Sequence, residues 1–191
     1  MKRISFNLLF ILILFASCND NDNVCIPDQT ITPETSNVTK LNDNHHRVYT
    51  DIVINVSASS LWSTLTNFDN MPNWSTSLQG LTGNISNGGE VEVTYILPHP
   101  VTGTPTQNKF TRNLIYTDGV QFGWSAPSTT FVGIVDNHIF KVEAISECQS
   151  RFIQTDEFQG TTPNVTTAML ANASLPLYKQ FNSELKLEAE K

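Results

Sequence analysis

A predicted strand, a short helix and a proline break follow one another in residues 48–74, and this order constrains the fold most. Apolar and polar residues alternate over residues 48–56, which is the pattern of a strand with one buried face. The hydroxyl-rich segment 57–60 can cap a helix, and apolar residues then recur at helical spacing: Leu61, Trp62, Leu65 and Phe68. Pro72 ends the helix because proline lacks the N–H group that the next backbone hydrogen bond needs.

This order of residues resembles the opening of the SRPBCC superfamily, which contains START proteins, birch-pollen-allergen-like helix-grip proteins and the polyketide cyclase/dehydrase-like family. Three motifs carry the resemblance: Leu61-Trp62, Leu65-Thr66-Asn67-Phe68 and Met71-Pro72-Asn73-Trp74. Two positions depart from the family pattern, since Ser59 stands where proline is usual and Met71 stands where tyrosine is usual.

Alternating segments and a long amphipathic stretch continue the resemblance to the C-terminus. Residues 90–97, 109–116 and 120–124 predict antiparallel strands, and residues 136–143 and 151–160 resemble the next two strands of the family. Segment 161–191 predicts the long C-terminal helix, which Pro176 either kinks or divides into two pieces. The resemblance implies an α+β helix-grip fold, in which a curved antiparallel sheet of six or seven strands wraps around this helix.

The composition is that of an acidic globular protein. Hydrophobic residues make up 39% and charged residues 15% of the chain, as in folded domains. The net charge of −7 argues against a nucleic acid partner, because phosphate binding requires clustered Lys and Arg.

The N-terminus predicts a bacterial lipoprotein signal peptide over residues 1–17. Lys2 and Arg3 precede an apolar run that is too short to span a bilayer comfortably. The run ends in Phe15-Ala16-Ser17-Cys18, which resembles a lipobox and makes Cys18 the candidate for lipidation. The alternative is an ordinary signal peptide with Cys18 nearby. The lipobox predicts a lipid-anchored location in the cell envelope, on the periplasmic or surface face of the outer membrane.

Residues 18–46 are predicted to be the lipidated cysteine followed by a flexible linker, and residues 47–191 the START-like domain. His45 and His46 are expected on a surface loop, because no acidic or cysteine partner has metal-site spacing. An oxidising compartment would permit a disulfide bond between Cys25 and Cys148, and the sequence leaves this pairing open.

Residues predicted to line the concavity between the sheet and the C-terminal helix are the candidates for ligand binding. They are mainly aromatic side chains with two polar ones among them: Trp62, Tyr95, Tyr116, Phe122, Trp124, His138, Phe140, Gln154 and Tyr178. Each could instead simply fill the core. His138 is the strongest candidate, because an unpaired polar group on an inner face costs about 1–3 kcal/mol; a core histidine satisfied by a neighbouring strand is the other interpretation.

The predicted function is that of an envelope lipoprotein that binds a hydrophobic small molecule, such as a lipid or polyketide-like compound, between sheet and helix. A cyclase/aromatase-like enzyme would use His138 with Gln154, Asp156 or Tyr116, but the sequence shows no catalytic pair of distinctive spacing. A protein-interaction module of the same fold is the third alternative. No cofactor or metal is expected, and the membrane partner is reached through the N-terminal lipid anchor.

Overall fold

In the computed structural model, residues 33–98, 102–128 and 131–191 are described. These residues contain eight strands: β1 Ser36–Asn42, β2 His45–Ile54, β3 Leu78–Gly83, β4 Glu90–Pro98, β5 Pro105–Thr117, β6 Gln121–Pro127, β7 Ile134–Ser146 and β8 Gln149–Gly160. The strands form one antiparallel sheet in the order β1-β2-β8-β7-β6-β5-β4-β3. From β3 to β8, neighbours in the sheet are also neighbours in sequence, and short turns link β5 to β6 and β7 to β8.

Two helices accompany the sheet, and their starts follow ordinary capping chemistry. Helix α1, Ala58–Thr66, begins where the Ser57 hydroxyl accepts a hydrogen bond from the backbone N–H of Ser60 at 3.1 Å. Helix α2, Thr167–Ala189, begins at a similar cap, in which Thr166 accepts from Met169 N–H at 3.1 Å. A single turn of 3-10 helix, Met71–Asn73, follows α1 at the predicted proline break.

The α+β helix-grip class is confirmed, while the predicted strand number of six or seven is wrong because the described sheet has eight. The additional strand, β1, falls in residues 36–42 of the predicted linker, so the linker prediction is wrong there. Pro176 does not divide the C-terminal helix, since α2 continues through it from Thr167 to Ala189.

His45 and His46 do not lie on a surface loop, because they begin strand β2. The side chain of His46 is buried, and its Nδ1 lies 2.8 Å from the hydroxyl oxygen of Thr167 at the start of α2. His45 instead contacts Glu157 on β8 at 2.8 Å. The two histidines therefore connect the start of β2 to β8 and to the start of α2. No cluster of three or more potential metal ligands occurs among the described residues.

Helix α2 lies across the inner face of the sheet and packs mainly against β2 and β8. The main core cluster is rich in stacked and edge-packed aromatic rings, including Phe122, Phe140, Phe152 and Phe181. A smaller cluster surrounds Val48, Ile134, Phe158 and Ala171 near the start of the helix. The space between the two clusters lies under α2, and this is where the candidate site is found.

Cys148 lies in the turn between β7 and β8 and is disulfide-bonded. The other two cysteines of the chain, Cys18 and Cys25, fall outside the described residues, as does the predicted signal peptide. The pairing of Cys25 with Cys148 stays a prediction. In the described part of the chain, no helix has the length and apolar character needed to cross a membrane.

Candidate functional site

A cavity of about 210 Å³ lies between the inner face of the sheet and helix α2. Its wall is built from alternate residues of β4 to β8, because every second side chain of a strand points to the same face. Helix α2 contributes the opposite side. Most of the lining is apolar, and includes Leu78, Val93, Phe110, Phe140, Leu177 and Phe181.

Six of the nine predicted binding residues line this cavity: Tyr95, Trp124, His138, Phe140, Gln154 and Tyr178. Of the remaining three, Trp62 belongs to helix α1, and Tyr116 and Phe122 pack against it from the sheet. The ring centroid of Trp62 is 5.8 Å from that of Tyr116 and 6.3 Å from that of Phe122. The indole N–H of Trp62 donates to Asp118 at 3.0 Å, so this group holds α1 on the sheet.

His138 is the first residue of a buried hydrogen-bonded chain that leads away from the cavity. Its Nε2 lies 3.0 Å from Oε1 of Gln154, whose amide nitrogen donates to Oδ1 of Asn182 at 2.6 Å. Asn182 in turn donates to the hydroxyl of Thr50 at 3.1 Å. Burial lowers the pKa of His138 to about 4, because the charged imidazolium would lose its hydration. The ring is therefore neutral at pH 7.

Asp156 is the second buried titratable group of the cavity wall. Burial raises the pKa of its carboxyl to about 7, although hydrogen bonds from Tyr178 and from backbone N–H groups favour the charged form. The Tyr178 hydroxyl donates to Oδ2 at 2.5 Å, and the backbone N–H of Asn137 donates to Oδ1 at 3.2 Å. The bond from Tyr178 ties helix α2 to strand β8 at the cavity.

Arg112 and Asp136 form a loosely paired set of charges on the same wall. Nη2 of Arg112 is 3.9 Å from Oδ1 of Asp136, which is too long for a hydrogen bond. Oδ2 of Asp136 accepts from the indole N–H of Trp124 at 3.3 Å, whereas Nε of Arg112 and Oδ1 of Asp136 are buried with no protein partner. Burial raises the pKa of Asp136, and the nearby guanidinium opposes this effect.

Two functional candidates, Arg112 and Asp136, were not among the predicted site residues, and Asp156 was predicted only for the enzyme alternative. Alternation along their strands could have found them, because each lies two positions from an inward apolar or histidine side chain. Asp136 precedes His138 by two residues on β7, and Asp156 follows Gln154 by two on β8. Glu157 points to the other face of the sheet, where it binds Arg47 and His45, so it forms no pair with Asp156.

A family model described as "Polyketide cyclase / dehydrase and lipid transport" matches residues 45–190, which is most of the chain. The chain belongs to this family. No curated protein sequence matches the chain at a significant level. The polyketide cyclase/dehydrase and lipid transport family has a START-like fold that generally binds hydrophobic small molecules.

Solved structures with the same fold come from several kinds of protein. A START superfamily protein from Mycobacterium smegmatis has a TM-score of 0.58 at 13% identity, covering 75% of this chain and 97% of that one. Zhui aromatase/cyclase from a Streptomyces species has a TM-score of 0.54 at 12% identity, covering 76% and 94%. Human STARD10 has a TM-score of 0.54 at 9% identity, covering 81% and 72%. At these identities the likeness establishes the fold.

Proposed function

We propose that this protein is an envelope lipoprotein that binds one compact hydrophobic molecule in the cavity under α2. The observation that carries the proposal is an apolar cavity with a few convergent polar groups, His138, Asp156 and Arg112, which is the usual composition of a small-molecule site. Family membership supports it, because the fold of the family generally binds hydrophobic small molecules.

The size of the cavity limits the ligand. Sites for drug-sized molecules usually measure roughly 300–1,000 Å³, whereas this cavity measures about 210 Å³. A compound with one or two rings therefore suits the space better than a lipid with two acyl chains.

Blocking the cavity with a larger side chain should strongly weaken ligand binding without unfolding the protein. Ser174 is a small side chain of α2 that lines the cavity, so the ring introduced by Ser174→Phe would occupy ligand space. We expect at least a tenfold weaker affinity for Prodan, an uncharged two-ring dye whose fluorescence reports apolar surroundings. Titrations of the wild type and the variant measure this difference.

The matched control is Ser183→Phe, which introduces the same ring at an exposed position of the same helix. This variant should bind Prodan as the wild type does. Equal affinity of Ser174→Phe and wild type, with circular dichroism showing both folded, would rule out this cavity as the binding site.

The envelope location is proposed from the sequence of residues 1–18, which lie outside the described part of the chain. Cells fed an alkyne-labelled fatty acid should incorporate the label into the wild-type protein and lose it in Cys18→Ala. Both proteins are compared in membrane and soluble fractions of the same cells. Label that persists in Cys18→Ala would contradict lipidation at this position.

A second candidate function is a cyclase-like enzyme, and one observation favours it. The carboxyl of Asp156 has a pKa of about 7 in the cavity wall, which suits a group that takes up and releases protons near neutral pH. The test is to release the compound that co-purifies with the protein and incubate it with fresh wild type and with Asp156→Asn. Conversion by the wild type alone supports the enzyme; recovery of the unchanged compound from both supports the binding protein.

A further inference from the structure

The imidazole ring of His138 has one nitrogen bonded within the protein and one that is not. Nε2 lies 3.0 Å from Oε1 of Gln154, whereas Nδ1 has no hydrogen-bond partner among the described residues. Phe140 and Tyr178 cover the ring, with centroids 4.2 Å and 4.6 Å from that of the imidazole. Because His138 lines the cavity, Nδ1 is the polar atom of this ring that a bound molecule can reach.

The amide groups behind His138 decide which ring nitrogen carries the hydrogen. The amide nitrogen of Gln154 lies 2.6 Å from Oδ1 of Asn182 and 3.5 Å from the backbone carbonyl oxygen of Tyr178. A backbone carbonyl can only accept, so the Gln154 atom beside it must be the NH₂ group. Oε1 of Gln154 then faces His138 and needs a donor. The hydrogen therefore resides on Nε2, and Nδ1 holds a lone pair.

The surroundings keep this lone pair free at neutral pH. Burial lowers the pKa of His138 to about 4, so Nδ1 is not protonated there. The other ionisable groups near the ring are the carboxyl groups of Asp136 and Asp156 and the guanidinium of Arg112. The carboxyl of Asp156, with a pKa of about 7, is only partly ionised at neutral pH. Carboxylates accept hydrogen bonds, and Asp136 at 3.9 Å offsets the charge of Arg112. The single guanidinium of the wall therefore already has a carboxyl partner, and the wall offers no unbalanced positive charge to an anionic ligand.

We propose that Nδ1 of His138 accepts a hydrogen bond from the ligand, and that the ligand is an uncharged, compact ring compound carrying an N–H or O–H group. This inference rests on the proposed function and names its ligand class. A compound without a donor would leave Nδ1 unpaired in an apolar space, which is unfavourable. A carboxylate compound would meet Asp136 and Asp156 beside a single guanidinium.

Indole and benzofuran test the inference directly, because they have nearly the same shape and differ in that indole has an N–H donor. A net hydrogen bond of about 0.5–1.5 kcal/mol corresponds to roughly 2- to 13-fold in affinity. We expect the wild-type full chain to bind indole several-fold more tightly than benzofuran, and to bind benzoate more weakly than either. Calorimetric titration at pH 7 measures the three affinities.

Two substitutions at one position separate the ring nitrogens. His138→Gln keeps an amide that reaches the Nε2 position and Gln154, but it places no atom at Nδ1. His138→Asn places its amide at the Nδ1 position. We expect His138→Gln to bind indole and benzofuran equally and His138→Asn to retain a preference for indole. If the role of His138 were purely structural, both variants would bind indole and benzofuran more weakly and to the same extent.

The outcomes distinguish this inference from the function on which it rests. Equal binding of indole and benzofuran by the wild type would overturn the role of Nδ1 while leaving the cavity as a binding site. Failure to bind either compound, together with failure to bind Prodan, would overturn both. Heteronuclear NMR of the wild-type ring nitrogens adds a test that needs no variant: the Nε2–H tautomer is expected without ligand, and indole should shift the Nδ1 resonance. An Nδ1–H tautomer would refute the inference.

Discussion

Replacing Phe140 with alanine should lower the free energy of unfolding by about 3–5 kcal/mol, the usual cost of removing a buried phenylalanine ring. Phe140 is only 1% exposed and lies where the ring clusters of the core meet the cavity. Its centroid is 4.7 Å from that of Phe122 and 5.8 Å from that of Phe181 on α2. The substitution would therefore loosen the contact between sheet and helix. Urea unfolding followed by circular dichroism measures the change.

Val135→Ala is a suitable control, because Val135 lies on the same strand but is 38% exposed. Val135→Ala should lower the free energy of unfolding by less than about 1 kcal/mol, since exposed side chains contribute little to stability. If Phe140→Ala lowered the free energy of unfolding no more than this control does, the packing of β7 against α2 would be less important for stability than the ring contacts indicate.

Two buried groups should give the protein opposite dependences of stability on pH. The carboxyl of Asp156 has a pKa of about 7 when folded and an ordinary value of 3.8. Folding therefore favours its protonated form, and stability is lost as the pH rises from about 4 to 7. A tenfold change in proton affinity corresponds to about 1.4 kcal/mol, so the loss amounts to about 4 kcal/mol.

His138 acts in the other direction. Its pKa is about 4 when folded and ordinarily 6.5, so folding favours the neutral ring. The resulting stability is complete above pH 6.5 and is lost as the pH falls toward 4, by about 3 kcal/mol. Because the two effects oppose each other between pH 4 and 6.5, their contributions nearly cancel in the wild type.

Single substitutions should reveal the pH dependence of stability that each group contributes. Relative to the wild type, Asp156→Asn should gain stability as the pH rises from 4 to 7, because the variant no longer has a carboxyl to ionise there. His138→Gln should lose stability relative to the wild type as the pH rises from 4 to 6.5, because the variant has no imidazole whose neutral form folding favours. Urea unfolding at several pH values gives both differences, and groups common to all three proteins cancel. Parallel curves for wild type and Asp156→Asn would show that Asp156 ionises at its ordinary pKa.

The sequence predicted the strands and helices in which apolar residues recur at a regular spacing and a capping residue or a proline marks one end. The hydroxyl-rich segment 57–60 predicted the start of α1, where Ser57 is the cap, and the alternation around His138 predicted that this residue lies on the inner face. Strand β1 was missed because an edge strand with nearly every residue exposed has no apolar alternation to detect. Its structure depends on pairing with β2, which is not visible in residues 36–42 alone.

The cavity could be predicted only in part, because alternation identifies the face of a residue and not its distance along the sheet. Tyr116 and Phe122 lie on the inner side of the sheet as predicted, and Phe122 is fully buried there, yet both pack against Trp62 of α1 and not against the cavity. Arg112 was overlooked for another reason. Alternation places Arg112 on the same face as Leu114, but burying a charged side chain is costly, so the sequence does not favour Arg112 as a cavity residue.

The hydrogen-bonded chain behind His138 also has a consequence for how ligand preference can change. Thr50 on β2 and Asn182 on α2 do not belong to the described cavity lining, yet they hold Gln154 in the orientation that gives His138 its lone pair. Specificity is thus partly encoded outside the pocket. Relatives with identical pocket walls but different residues at these two remote positions would lose the acceptor that holds the Gln154 amide at 2.6 Å, so a comparison of pocket walls alone would miss a change in ligand preference.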